Sequence, residues 1–206
     1  MIETWADPWP VAVPQNLGLR VLSYARWPEA ENDALPQIAG FVVSSFNPLV
    51  AEVADRCLDR RTGPVPPHVP GETGTRTALL LASVSGDRAT ARAIADAVRT
   101  GRRVPPLLFF QSNPNAVLGH VAARRRLTGP VVSISPRSNE PFEAGRPTAA
   151  FEGGHDAGGI PADAFKEADW LLRDGDVDEV LLIAAEQGAG PGETDRAEAV
   201  LVDRRP

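Results

Sequence analysis

Lysine is nearly missing from this chain. Lys166 is the only one, and arginine supplies the rest of the positive charge. Cysteine is equally scarce: Cys57 stands alone in 206 residues, so no internal disulfide can form. Its neighbours Val53 and Leu58 suggest a buried helix face, where cysteine serves as a small hydrophobe. No apolar run approaches the roughly 20 residues that cross a bilayer as a helix; Thr77 to Val84 is among the longest. Met1 to Pro10 shows no basic stretch leading into an apolar one, so no secretory leader is expected, and the chain is predicted to be cytoplasmic. Positive charge is in deficit, with a net charge of −6. That disfavours nucleic acid, which needs a basic surface. The three histidines, His68, His120 and His155, have no ligand-type partners at short spacing. No metal site is expected, and no cofactor motif is present: glycines 153, 154, 158 and 159 are not followed by the Lys-Ser/Thr of a phosphate loop.

What the chain does hold is an alternation of apolar runs and amphipathic segments. Residues 1–36 are broken by Pro8, Pro10, Pro14, Pro28 and Pro36, with Ile2–Trp5 and Leu19–Tyr24 as short strand candidates. Asn47-Pro48 reads as a helix start with Asn as cap. Leu49, Val50, Val53, Cys57 and Leu58 form its apolar stripe, and the helix is expected to end near Arg61, before Gly63. Thr77–Val84 has the continuous apolar character of a strand buried on both faces. Ser85-Gly-Asp87 then opens a helix with Ile94 and Val98 one turn apart and Gly101 as its stop. Leu107-Leu-Phe-Phe110 is a short apolar stretch. A helix over about 114–126 has a small face of Ala116, Gly119, Ala122 and Ala123, predicted to face the core. Val131–Ile134 reads as a strand, residues 135–160 as an extended loop, and Asp163 as the cap of a helix to Arg173. Glu179–Ala185 and Ala197–Val202 are further strands. The expected fold is a single α/β domain over residues 1–206, a layered mixed sheet with helices.

The segment Asn113-Pro-Asn-Ala-Val-Leu-Gly-His-Val-Ala-Ala-Arg-Arg-Arg-Leu-Thr-Gly-Pro130 resembles the β-ketoacyl synthase pattern: Pro-Asn, a small-residue helix with Gly-His, then Leu-x-Gly-Pro before a strand. Thr77–Gly86, Arg102-Arg-Val-Pro105, Trp170-Leu-Leu-Arg-Asp-Gly-Asp176, Val180–Glu186 and Ala197–Val202 follow in the order of that thiolase-like family. The resemblance covers about residues 37–203. It implies a thiolase-type fold and one ketosynthase half, the N-terminal one. The family places its nucleophilic cysteine on the turn after the strand matching Val131–Ile134. No cysteine stands near that point, and residues 135–160 look like an insertion in place of the elbow. The half that supplies the family's two histidines is expected to be absent. A thiolate to hold the acyl chain and histidines to stabilise the oxyanion are what condensation requires, so no condensing activity is expected.

Such short proteins resemble the accessory ketosynthase-like chains of type II polyketide, fatty acid and aryl-polyene systems, in the manner of chain length factors. The resemblance implies a partner, either an active ketosynthase subunit or a second copy, with an acyl carrier protein as a further contact. It implies that Phe109, Phe110, Asn113 and Asn115 border an acyl tunnel, although such rings more often belong to a core. It implies an interface through Ala116, Gly119, His120 and Ala123, where His120 could equally be a locally bonded helix residue. Asn115 also reads as a brace at the helix start, and Arg124–Arg126 as a solvated helix end. An alternative is a stand-alone acyl-thioester transferase or hydrolase built on Ser138, His155 and Asp156. No Gly-x-Ser-x-Gly elbow supports that set.

Overall fold

The computed structural model describes residues 13–61, 75–136, 159–188, 190 and 193–204. A single 3-10 turn, Gln15–Leu17, leads into β1 (Leu19–Trp27). Then come α1 (Phe46–Asp59), β2 (Thr77–Ala82), α2 (Arg88–Arg99), α3 (Pro106–Gln111), α4 (Pro114–Arg125), β3 (Val131–Ile134), α5 (Ala162–Arg173), β4 (Glu179–Glu186) and β5 (Arg196–Arg204). The five strands form one mixed sheet in the order β1-β5-β4-β2-β3. β4 pairs parallel to β2, and β2 parallel to β3. β5 runs antiparallel to both β4 and β1.

Continuous apolar runs end up at the centre because both faces of the sheet are covered. All six residues of β2 are buried. Leu79 and Leu81 point to one layer with Leu181, Ile183 and Leu201, against α1 and α4. Ala78, Leu80 and Ala82 point to the other with Val180, Leu182, Val200 and Val202, against Phe165 and Ala168 of α5. Each fully buried Leu contributes about 1.5–3 kcal/mol relative to exposure. Ion pairs fasten the margins: Arg61 clamps Glu179 at the start of β4, and Arg125 bridges Asp55 and Asp59 of α1 at 2.5 and 2.6 Å.

Several local expectations need correction. The prolines of the first 36 residues leave room for a nine-residue strand between Gly18 and Pro28. Ile2–Trp5 lies outside the described residues. Asn47 is not a cap: Ser45 precedes the helix, and Asn47 is fully buried within its first turn. Val98 is exposed, and α2 buries Thr90 and Ala97 instead. Leu107–Phe110 is helical, and Pro161 rather than Asp163 precedes α5. The core face of α4 is Val117, Leu118 and Val121, not the small residues. The larger side chains gain more by burial, so they win the core and turn Gly119 and Ala123 to solvent. The arginines at its end are not all solvated: Arg125 is held by α1, and its guanidinium pulls the Asp59 carboxyl below its usual range.

Candidate interface and tunnel wall

α3 begins Pro105-Pro106, with Pro106 in the first turn where its missing N–H costs nothing. Six residues give under two turns, so only one edge can face the protein. Leu108 and Gln111, three apart, take that edge and are buried. Leu107, Phe109 and Phe110 are left outward, at 43%, 59% and 55% exposure. The expectation that the two rings belong to a core is thereby overturned. Beside them the chain crosses at Phe41-Val-Val43. Phe41 is buried, while Val42 and Val43 are exposed.

Phe41 is the hinge of this patch. Its ring stacks on Phe110 with centroids 6.0 Å apart and 24° between planes. Its other contact is edge-to-face with His120 of α4, at 5.9 Å and 82°, a favoured aromatic geometry. The sequence reading brought Phe109, Phe110 and His120 forward but missed Phe41, Val42 and Val43. The signal was an apolar triplet with no period of its own.

α4 is positioned by its cap. The Asn113 side chain accepts the Asn115 N–H at 3.0 Å, so Asn113, not Asn115, fixes the helix start. Both asparagines are exposed. Ala116 is half-buried against the core. A Cβ built on Gly119 meets nothing within 4 Å, so the chain's own packing does not require glycine there. β3 follows α4 and forms one edge of the sheet, four residues long and mostly half-buried. Among the described residues its outer side has no strand partner, which leaves backbone donors and acceptors open to another chain.

A crevice of about 370 Å³ lies at the carboxyl ends of β2 and β3, where open α/β sheets usually bind ligands. Leu81, Ser83–Gly86, Pro114 and Ser133–Ser135 line it. The lining holds four serines, Ser83, Ser85, Ser133 and Ser135, and no histidine, cysteine or lysine among the described residues. Next to it the Glu186 carboxylate accepts from the Ser83 hydroxyl, the Val84 and Ser85 N–H groups and the Ser85 hydroxyl. Cys57 is far from nucleophilic. It is fully buried on α1, 3.3 Å from the Ser23 hydroxyl, and burial pushes its thiol up to about 11. Ser138, His155, Asp156 and His68 lie outside the described residues. No group of three or more His, Cys, Asp or Glu could hold a metal ion among the described residues, and no described helix is long and apolar enough to cross a membrane.

No family model matches the chain, and no curated protein matches it in sequence. Solved structures do. A ketosynthase in complex with its chain length factor from Xenorhabdus doucetiae is similar with TM-score 0.61 at 14% identity, over 91% of this chain and 79% of that one. The ishigamide ketosynthase/chain length factor gives 0.56 at 16% identity, over 86% of this chain and 48% of that one. A β-ketoacyl synthase from Burkholderia phymatum gives 0.54 at 12% identity, over 90% and 52%. The chain thus spans about half the length of the second and third and most of the first. At these identities the likeness speaks for the fold, and the resemblance carried by Asn113–Pro130 holds at that level: the chain has the ketosynthase-like, thiolase-type fold.

Proposed function

We propose that this chain is a noncatalytic ketosynthase-like subunit that pairs with an active ketosynthase of a type II polyketide or fatty acid system and helps shape the acyl chain bound there. One observation carries the reading: α3 spends two apolar rings and a leucine on solvent. Large exposed apolar patches mark interaction sites. The one thiol of the chain, Cys57, is buried in α1, which supports a role without thiolate chemistry. In this reading residues 1–206 form one ketosynthase-type domain, with 135–160 inserted where the family carries its nucleophile. Ala116, Gly119, His120 and Ala123 lie along the contact. Phe109, Phe110, Asn113 and Asn115 border the tunnel, and an acyl carrier protein reaches the complex from outside.

The test is reconstitution with a co-purifying ketosynthase. The chain alone should form no ketoacyl product from acyl- and malonyl-carrier protein. In the complex, Phe110→Ala or Phe109→Ala should lengthen the products, because removing a ring opens volume that added methylenes fill favourably. Turnover by the chain alone overturns the noncatalytic role. Unchanged product length in both variants overturns the tunnel role.

A further inference from the structure

We propose that the junction of α1, α2 and α3 holds an ordered internal water bound by Asn47, Thr90 and Gln111. The three helices meet around Asp87, which precedes α2. Its carboxylate accepts the Thr90 N–H at 3.0 Å and the Asn47 Nδ2 at 3.2 Å. The same Asn47 Nδ2 donates to the Gln111 carbonyl at 3.2 Å, tying α1 to the end of α3. These contacts fix the Asn47 amide. Flipped, its oxygen would face a carboxylate and a carbonyl, both acceptors.

With the amide so fixed, Asn47 Oδ1 meets no hydrogen-bonding partner, nor do Thr90 Oγ1 and both amide atoms of Gln111, among the described residues. The three side chains are 0–1% exposed. The three residues are joined through Asp87 and the Gln111 carbonyl, and amide misassignment does not explain the orphaned atoms, since neither end of the Gln111 amide is bonded. Buried polar groups are nearly always satisfied, and an orphaned one costs free energy. The set comprises amide acceptors, an amide donor and a hydroxyl that does either. Water matches it: it can donate to Asn47 Oδ1 and Gln111 Oε1 while accepting from Gln111 Nε2 or the Thr90 hydroxyl. The consequence falls on α3. Leu108 and Gln111 are its only buried residues, so one of the two side chains that attach it binds the water.

A crystal structure of the full chain at a resolution that shows waters tests this directly. The expected result is a peak about 2.7–3.2 Å from Asn47 Oδ1 and from at least one of Thr90 Oγ1 and the Gln111 amide. An empty joint, a direct protein bond to the Gln111 amide, or a cation with shorter contacts overturns the proposal. Thermal melting of the Thr90→Val, Gln111→Met double variant gives an independent answer. If water sits there it loses partners, and Tm falls. If the joint is dry, the variant removes the orphaned groups, and Tm holds or rises.

Discussion

α1 and α3 are both rich in apolar residues, and the sheet treats them in opposite ways. α1 buries nine of its fourteen residues across one face of the sheet, and ion pairs rim it: Arg56 with Asp33, Arg60 with Glu29, Arg125 with Asp55 and Asp59. α3 buries two of six and turns its largest side chains outward. The same hydrophobic effect acts on both. The difference is that α1 finds its partner surface within the chain, whereas α3 shows more apolar area than the described residues cover. Apolar composition therefore marks stability in one helix and availability in the other.

Paired truncations should break this comparison if it is wrong. Phe46→Ala, in α1 and almost fully buried, is expected to cost about 3–5 kcal/mol in chemical denaturation. Phe109→Ala should cost under about 0.5 kcal/mol in the isolated chain. Equal losses would place Phe109 in a packed environment and remove the contrast.

Two glycines sharpen it next. A Cβ on Gly129 would lie 2.4 Å from the Thr77 carbonyl oxygen, where the chain from α4 crosses the start of β2. Gly129→Ala should therefore cost about 1–3 kcal/mol from forced overlap. Gly119→Ala, on the open side of α4, should instead stabilise the isolated chain by up to about 1 kcal/mol through helix propensity. A destabilised Gly119→Ala chain would show that α4 is packed on that side after all.

The smallest effect concerns acid. Arg56 holds the Asp33 carboxyl at about 2 instead of 3.8. A carboxyl depressed by folding contributes stability in full above its unfolded value and loses it as pH falls toward the folded one. The stability advantage of the native chain over Arg56→Met should accordingly shrink between about pH 4 and pH 2. A gap constant over that window, followed by denaturation at each pH, would mean that the pair does not couple the β1–α1 connection to α1.

The sheet was largely legible from the residues. Thr77–Ala82 and Glu179–Glu186 carry consecutive apolar residues over strand length, which suits strands covered on both faces. α3 was not legible as a helix, because a Pro-Pro start and four apolar residues fit a strand or a helix turn equally well. On α4 the residues were in view but the face was misread. Val117, Leu118 and Val121 compete for the core with the small residues, and side-chain size decides the outcome. The site divides in the same way. Phe109, Phe110 and His120 could be picked out individually, but their meeting through Phe41 depends on a crossing more than sixty residues away in sequence, which no local pattern encodes.

The strand order has a consequence for the timing of folding. β5, the last described strand, lies between β1 and β4, so Leu19 pairs with Arg204 across nearly the whole length of the described chain. During synthesis, β2, β3 and β4 can associate as they emerge, but β1 has no strand to pair with until β5 has left the ribosome. Until then, the first strand and one flank of β4 stand open together, and such unpaired edges favour misassembly. Loss of β5 would therefore remove an interior stave of the sheet rather than trim its border.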